Sequence, residues 1–264
     1  MTVALFWLHV FTAWGRSYDH TRWKEAFSLR YRVLGALLTI ACLLGIIALP
    51  SLAAAPLPTY EPIHRIDTKK KVVALTFDDG PDATYTPKIL EVLHQHQVQA
   101  TFFVLGSQVD KYPKVMQWIT KAGHEIGNHG YDHHDLNKLT EQEVYDDIKR
   151  GELSILRTTG ILAQNYRPPG GVMTHDVMNA VQACGYDLIH WSIDPKDWSM
   201  ARTASLIAKS VKSNVKAGDI ILFHDGGLNQ KQTVAALRDL IKDLRAQGYR
   251  FVTVSQLLDE AKAK

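Results

Sequence analysis

Cysteine is close to absent. The chain of 264 residues holds two, Cys42 in an apolar run and Cys184 in a predicted helix. They make no disulfide framework, so an exported domain built from this chain has to rely on its core. A concentrated basic stripe is missing too. The formal net charge is +3, which gives no case for a nucleic-acid partner. Internal repeats and low-complexity tracts are lacking, which removes a repeat array from the architectures to consider. What remains is ordinary: 46% hydrophobic and 22% charged residues, the balance of a globular protein, and enough chain for one sizeable domain with a short appendage. The one excess is histidine, with twelve, more than structure alone requires.

The first organising feature is topological. Residues 33–49 (VLGALLTIACLLGIIAL) carry no charge and approach the ~20 residues of a spanning helix. Arg16, Lys24, Arg30 and Arg32 precede the run, opposed by Asp19 and Glu25. By the positive-inside rule the N-terminus stays in the cytosol and everything after Pro50 lies outside. A buried core helix would instead be amphipathic and interrupted. Two fates stay open. Ala53 and Ala55 form an A-x-A-like cleavage site, whereas an n-region of about thirty residues is long for a signal peptide and favours a retained anchor. Cys42 has no lipidation context. Residues 1–14 are apolar and aromatic but too short to span; they either lie in the membrane interface or precede the true start codon. The expected organisation is a cytoplasmic segment over 1–32, a signal-anchor or signal h-region over 33–50, a linker with little periodicity over 51–70, and one folded domain over 71–260.

Within that domain, short apolar β-branched runs alternate with amphipathic segments. Strands are expected at 72–77, 100–105, near 125–126, and at 186–193, 219–223 and 250–254. Helices are expected at 87–96, 113–122, 141–158, 176–184, 204–215 and 233–247. Such alternation implies an α/β fold with a parallel sheet. The number of repeats suggests a barrel, incomplete or distorted, more than an open sheet, with chemistry at the C-terminal ends of its strands.

Polar clusters fall where those strands end. In TFDDG (residues 76–80) the adjacent acids Asp78 and Asp79 repel each other unless a cation or another partner holds them. A plain turn needs only one. HEIGNHGYDHHDL (residues 124–136) places His129 and His133 four apart, and on a turn of helix those positions share a face. Asp79 would complete a two-His, one-Asp set. Three protein ligands leave a position for water, the pattern of a catalytic metal site. In RPPGG (residues 167–171) two prolines and two glycines make a sharply bent loop, and Arg167 at its entrance is suited to pair with a buried carboxylate. DPKDW (residues 194–198) and LFHD (residues 222–225) each follow an apolar strand. His224 is placed for general-acid work; taken alone, a satisfied half-buried histidine would read the same way.

These motifs, in this order, resemble the five motifs of the NodB-homology polysaccharide deacetylases, carbohydrate esterase family 4, over about residues 71–258. The resemblance implies a distorted (β/α) barrel and a divalent metal, zinc first, with cobalt and nickel as alternatives. It implies Asp79, His129 and His133 as metal ligands, Asp78 as catalytic base, His224 as catalytic acid, and Arg167 and Asp197 as the groups that orient or tune that pair. Trp198 and Leu222 would line the acetyl pocket, and the backbone N–H of Gly170 would belong to the oxyanion hole. Two positions depart from the family pattern. Gly130 stands where Ser or Thr is usual, which leads us to expect a looser ligand loop. Gly170 stands where Tyr is common, which alters substrate contacts while keeping the N–H.

The expected activity is removal of N-acetyl groups from amino sugars of an extracellular polysaccharide, peptidoglycan first. Chitooligosaccharides, other exopolysaccharides and O-acetylated xylan are the alternative substrates. No nucleic acid or protein partner is implied, and the membrane enters only through the N-terminal helix. A competing class is an inactive metal- or sugar-binding module, against which the intact Asp78, Asp79, His129, His133 and His224 speak.

Overall fold

The computed structural model describes residues 60–227 and 229–262. The segments expected over 1–32 and 33–50, with Ala53, Ala55 and Cys42, lie outside the described residues. Among the described residues no helix is long and apolar enough to cross a membrane.

The β-branched run after Lys71 forms β1 (Val72–Asp78), buried along its whole length. A strand covered on both faces reads as a continuous apolar run, and β1 feeds two layers. Val73, Leu75 and Phe77 join one core cluster. Val72 and Ala74 join another with Ile189, Ile220 and Val252. Phe77 stacks between Phe102 and Phe223 at ring-centroid distances of 5.0 and 5.8 Å. Truncating such a ring to alanine costs about 3–5 kcal/mol.

The remaining elements, in chain order, are α1 (Tyr85–Gln95), β2 (Thr101–Val104), α2 (Gly106–Lys111), α3 (Pro113–Lys121), β3 (Glu125–Asn128), α4 (Glu141–Thr159), β4 (Asn165–Tyr166), α5 (His175–Cys184), β5 (Asp187–Leu188), α6 (Ala204–Asn214), β6 (Ile220–His224), α7 (Lys231–Ala246), β7 (Arg250–Val252) and α8 (Val254–Lys262). The strand order is β5-β4-β3-β2-β1-β6, with β7 beside the first half of β1. Every pairing is parallel, so all C-terminal strand ends lie at one rim. Beyond β5 the chain reaches β6 through a bridge between Ile193 and Ile221. That contact stands where a regular barrel would have a full strand pair, and the sheet is a distorted, incomplete barrel.

Several expectations need adjustment. The strand predicted over 186–193 is regular only at Asp187–Leu188; beyond it the backbone bonds to Ile63 and then to Ile220. That sharing breaks the ladder. The helices α2 and α8 and the strand β4 were not anticipated. Residues 60–66, assigned to the linker for their lack of periodicity, dock on the domain. Ile63 bridges Ile189, Arg65 bridges Asp219 and also pairs with its carboxylate at 3.0 Å, and Ile66 is buried. Helix α4 is started by a reciprocal Thr140–Glu143 capping box and stopped by Gly160 in the left-handed conformation, the device expected of a firmly ended helix.

Candidate active site

A cavity of about 390 Å³ opens at the C-terminal rim. It is lined by Asp78, Asp79, His129, His133, Gly170, Trp198, Leu222 and His224, together with Trp191, Asp194, Gly226 and Gln230. The other two predicted residues lie directly behind the wall. Arg167 is wholly buried and bonds Asp78; Asp197 is buried and bonds His224. The ends of β1, β3 and β6 and the segments after β4 and β5 thus deliver the whole predicted set to one place.

Asp78 ends β1. Its Oδ1 accepts a hydrogen bond from Arg167 Nη1 at 2.7 Å. The guanidinium also donates to Thr76 Oγ1 and to the His190 carbonyl, and it lies over the Phe103 ring at 4.1 Å. A buried ion pair fixed on so many sides has one geometry. Asp79 turns away with a positive φ of 73°. Its Oδ1 is buried and has no hydrogen-bond partner. His129 Nε2 and His133 Nε2 stand 3.5 and 3.6 Å from that same oxygen. One ligand atom from each of Asp79, His129 and His133 falls within a 4.8 Å span. His129 Nδ1 donates to the Arg167 carbonyl at 2.6 Å, which leaves Nε2 as the free acceptor facing Asp79. A buried carboxylate oxygen without a donor is costly. One carboxylate and two imidazole nitrogens converging on a point are a donor set that suits zinc and its neighbours. The residues present therefore fit a divalent cation. Electrostatics agrees. Burial would raise the Asp79 carboxyl, but His129, with His224 and His133, holds it down to about 2. Burial would lower the His129 imidazole, yet Asp78 and Asp79 push it up. The pocket is thus a negative field that a cation would relieve.

Opposite, His224 closes β6. Its Nδ1 lies 2.8 Å from Asp197 Oδ1, and Asp197 Oδ2 accepts from the His224 backbone N–H and from Thr233 Oγ1. Burial alone would depress the imidazole, but Asp197 above all, then Asp78 and Asp79, raises it to about 9. That field favours the protonated imidazole at neutral pH.

The ligand loop is organised differently from what the sequence suggested. The residues after His129 form no helical turn. They leave β3 as an irregular loop, and Gly130 has a φ of +82°, which turns the chain so that His133 folds back over Asp79. Nor is the loop loose. Its carbonyls at Gly130 and Tyr131 accept from the N–H groups of Gly106 and Ser107. Its N–H groups at Tyr131 and Asp132 donate to the two oxygens of Asp147 on α4, and that of Gly130 donates to Asn128 Oδ1. A Cβ at position 130 would come within 2.3 Å of Asp147 Oδ2. The carboxylate from α4 occupies the place a hydroxyl side chain would take. The approach is close because position 151 is also glycine: a Cβ there would meet the Gly130 carbonyl oxygen at 2.5 Å.

Asp147 was missed because a charged residue in an amphipathic helix reads as solvated surface. Trp191, which lines the cavity and stacks on His190 at 3.8 Å, was hidden in an apolar run. Asp225, next to His224, was quoted without a role. It is fully buried, accepts from Thr86 Oγ1, and is pushed up to about 7 by burial and then by Asp79 and Asp78. Its carboxylate fills the space beside Gly80, where a Cβ would come within 2.2 Å of Oδ2.

Comparison with known proteins gives a consistent result. Residues 65–189 match the family model described as polysaccharide deacetylase. The chain is 40% identical over 203 residues, 76% of its length, to a peptidoglycan-N-acetylglucosamine deacetylase of Bacillus cereus, of which it covers 94%. It is 36% identical to a chitooligosaccharide deacetylase of Bradyrhizobium, over 70% of this chain and 90% of that protein. Among solved structures, the Bc1960 peptidoglycan N-acetylglucosamine deacetylase in complex with 4-naphthalen-1-yl-N-oxidanyl-benzamide superposes with a TM-score of 0.71 at 37% identity, covering 74% of this chain and 91% of that one.

Proposed function

Because the chain belongs to the polysaccharide deacetylase family, we propose that this enzyme hydrolyses N-acetyl groups on the amino sugars of peptidoglycan, with a divalent metal held by Asp79, His129 and His133. The observation that carries the metal is the buried, unpartnered Asp79 Oδ1 between two imidazole nitrogens. The peptidoglycan substrate rests on the similarity to peptidoglycan N-acetylglucosamine deacetylases. A chitooligosaccharide is the second reading, favoured by the relative that acts on one.

A bound divalent cation supplies Lewis-acid polarisation of the acetyl carbonyl and lowers the pKa of a water molecule. The chain's own groups do the rest. Asp78, held in one orientation by Arg167, takes a proton from the attacking water as its oxygen bonds to the acetyl carbon. The Gly170 backbone N–H is assigned to the oxyanion that develops on the carbonyl oxygen. His224, charged and oriented by Asp197, gives its proton to the sugar nitrogen as the C–N bond breaks. The products are acetate and a free amine, and Asp78 and His224 then exchange protons with solvent to reset. Trp198 and Leu222 bound the space for the acetyl methyl. The domain acts outside the cytosol, carried there by residues 33–50. The lysine and arginine excess before that run is the support for this.

Acetate release from an N-acetylated glycan strand, measured before and after exhaustive chelation and after zinc or cobalt is returned, tests the chemistry. Activity should vanish and be restored; survival with no metal detectable would overturn the mechanism. Impermeant labelling of a cysteine introduced at Thr59 in intact cells tests the topology, and labelling only after lysis would reject it.

A further inference from the structure

A second cavity of about 350 Å³ adjoins the active site, and Trp198 borders both. Its lining includes Arg202 and Lys231, while Asp197 is the only acid in the wall. Both oxygens of that acid are already engaged, by His224 and Thr233. Neither the Arg202 guanidinium nor the Lys231 ammonium meets a hydrogen-bond acceptor or an acid among the described residues. Arg202 is nonetheless only half exposed. The first turn of α7, where Lys231 stands, carries no acidic residue to neutralise it. An apolar edge completes the cavity: Met200 is 92% exposed and Trp198 45% exposed. Two unneutralised cations beside apolar side chains, one cavity away from the reacting centre, make a surface for a sugar that bears an anion.

From this we infer that the second cavity is a subsite for a carboxylate-bearing sugar next to the one being deacetylated, with Arg202 and Lys231 as its specificity-determining residues. The inference rests on the deacetylase reading and sharpens its substrate class. In peptidoglycan, N-acetylglucosamine alternates with N-acetylmuramic acid, whose lactyl carboxyl is an uncharged amide where a stem peptide is attached and a free carboxylate on strands from which the peptide has been removed. A chitooligosaccharide is acetylated on every sugar and has no anion to offer. A strand with one N-acetylglucosamine in the first cavity extends past the Trp198 indole and brings the neighbouring carboxylate to the two cations. Charge-assisted bonds from Arg to a carboxylate are directional, and Lys adds a point charge.

The test compares two tetrasaccharides on the zinc-loaded full chain: peptide-free N-acetylglucosamine–N-acetylmuramic acid strands and tetraacetylchitotetraose. Acetate release and direct calorimetric binding are both read, for the wild type and for Arg202→Gln, Lys231→Gln and the double variant. For the muramic-acid strand the double variant should raise KM and Kd roughly five- to tenfold with little change in kcat, and high salt should reproduce the effect in the wild type. The chitotetraose values should stay within about twofold, which also shows that the variant is folded. An equal loss on both substrates, or no loss on the muramic-acid strand, would overturn the subsite. A wild type that releases acetate from neither substrate would sink the deacetylase reading, and the binding data would still decide for or against the subsite.

Discussion

Asp197 and Asp79 are both carboxylates of one site, Asp79 in the wall of the cleft and Asp197 directly behind it, and both face histidine. Asp197 has every oxygen satisfied: Oδ1 by the His224 imidazole, Oδ2 by the His224 backbone N–H and Thr233. Asp79 leaves Oδ1 without a donor while two imidazole nitrogens stand at 3.5 and 3.6 Å, too far for good hydrogen bonds. The β6 side of the site is completed by the protein itself. The β1–β3 side is arranged for something from outside. The contrast supports the proposed division of roles, in which one carboxylate tunes a proton donor and the other contributes to a cation site.

The contrast can be broken in order of expected effect. Asp78→Asn should keep the metal and lose turnover by at least about a hundredfold, the lower range for general-base catalysis. Metal analysis alongside acetate release checks this, and metal loss equal to that of an Asp79 variant would erase the distinction between the two acids. Next is Asp147→Ala, which removes the acceptor of two loop N–H groups. Such supporting groups are typically worth ~10–100-fold in metal affinity, and competition titration reads the difference.

The third test uses pH. Asp197 is the leading cause that raises His224 to about 9 against burial. The protonated, acid-competent imidazole is therefore present at neutral pH and is lost as pH rises through that value. Its contribution to folding has the same sign: it is full below about 6.5, the unperturbed value, and declines as pH rises through about 9. A bound cation offsets the fields of Asp78 and Asp79, so the basic limb of kcat in the loaded enzyme should lie below 9. Asp197→Asn should move that limb further toward acid, and an unmoved limb would detach Asp197 from the proton donor. The smallest effect is expected of Gly130→Ser. The looser loop expected from the sequence implied that a hydroxyl here would tighten metal binding if φ at this position were negative. The φ is positive and a Cβ would approach Asp147 to 2.3 Å, so that condition is not met. Strain of roughly 1–3 kcal/mol should appear in denaturant unfolding, and tighter zinc binding in the variant would show that the loop is loose after all.

The site was more legible than the details that shape it. Residues whose chemistry is costly to bury without purpose, such as the Asp78–Asp79 pair and His129, announced themselves at strand ends, and β1, β2 and β6 were plain from their apolar runs. The short strands β4 and β5 were obscured because their ladders are shared with neighbours or broken after two residues. Helix α2, six residues long, has no room for a period to show. The spacing of His129 and His133 suggested one face of a helix, but their convergence comes from a left-handed glycine and from hydrogen bonds to α2 and α4. Those partners are distant in sequence, and nothing in residues 129–133 names them.

The most direct test of the division between the two sides is zinc stoichiometry and affinity in three proteins: wild type, Asp79→Asn and Asp197→Asn. We expect the wild type to bind one equivalent, Asp79→Asn to lose it, and Asp197→Asn to retain it while losing activity. A wild type that binds no zinc, cobalt or nickel, or an Asp79→Asn variant that binds as tightly as the wild type, would contradict the account.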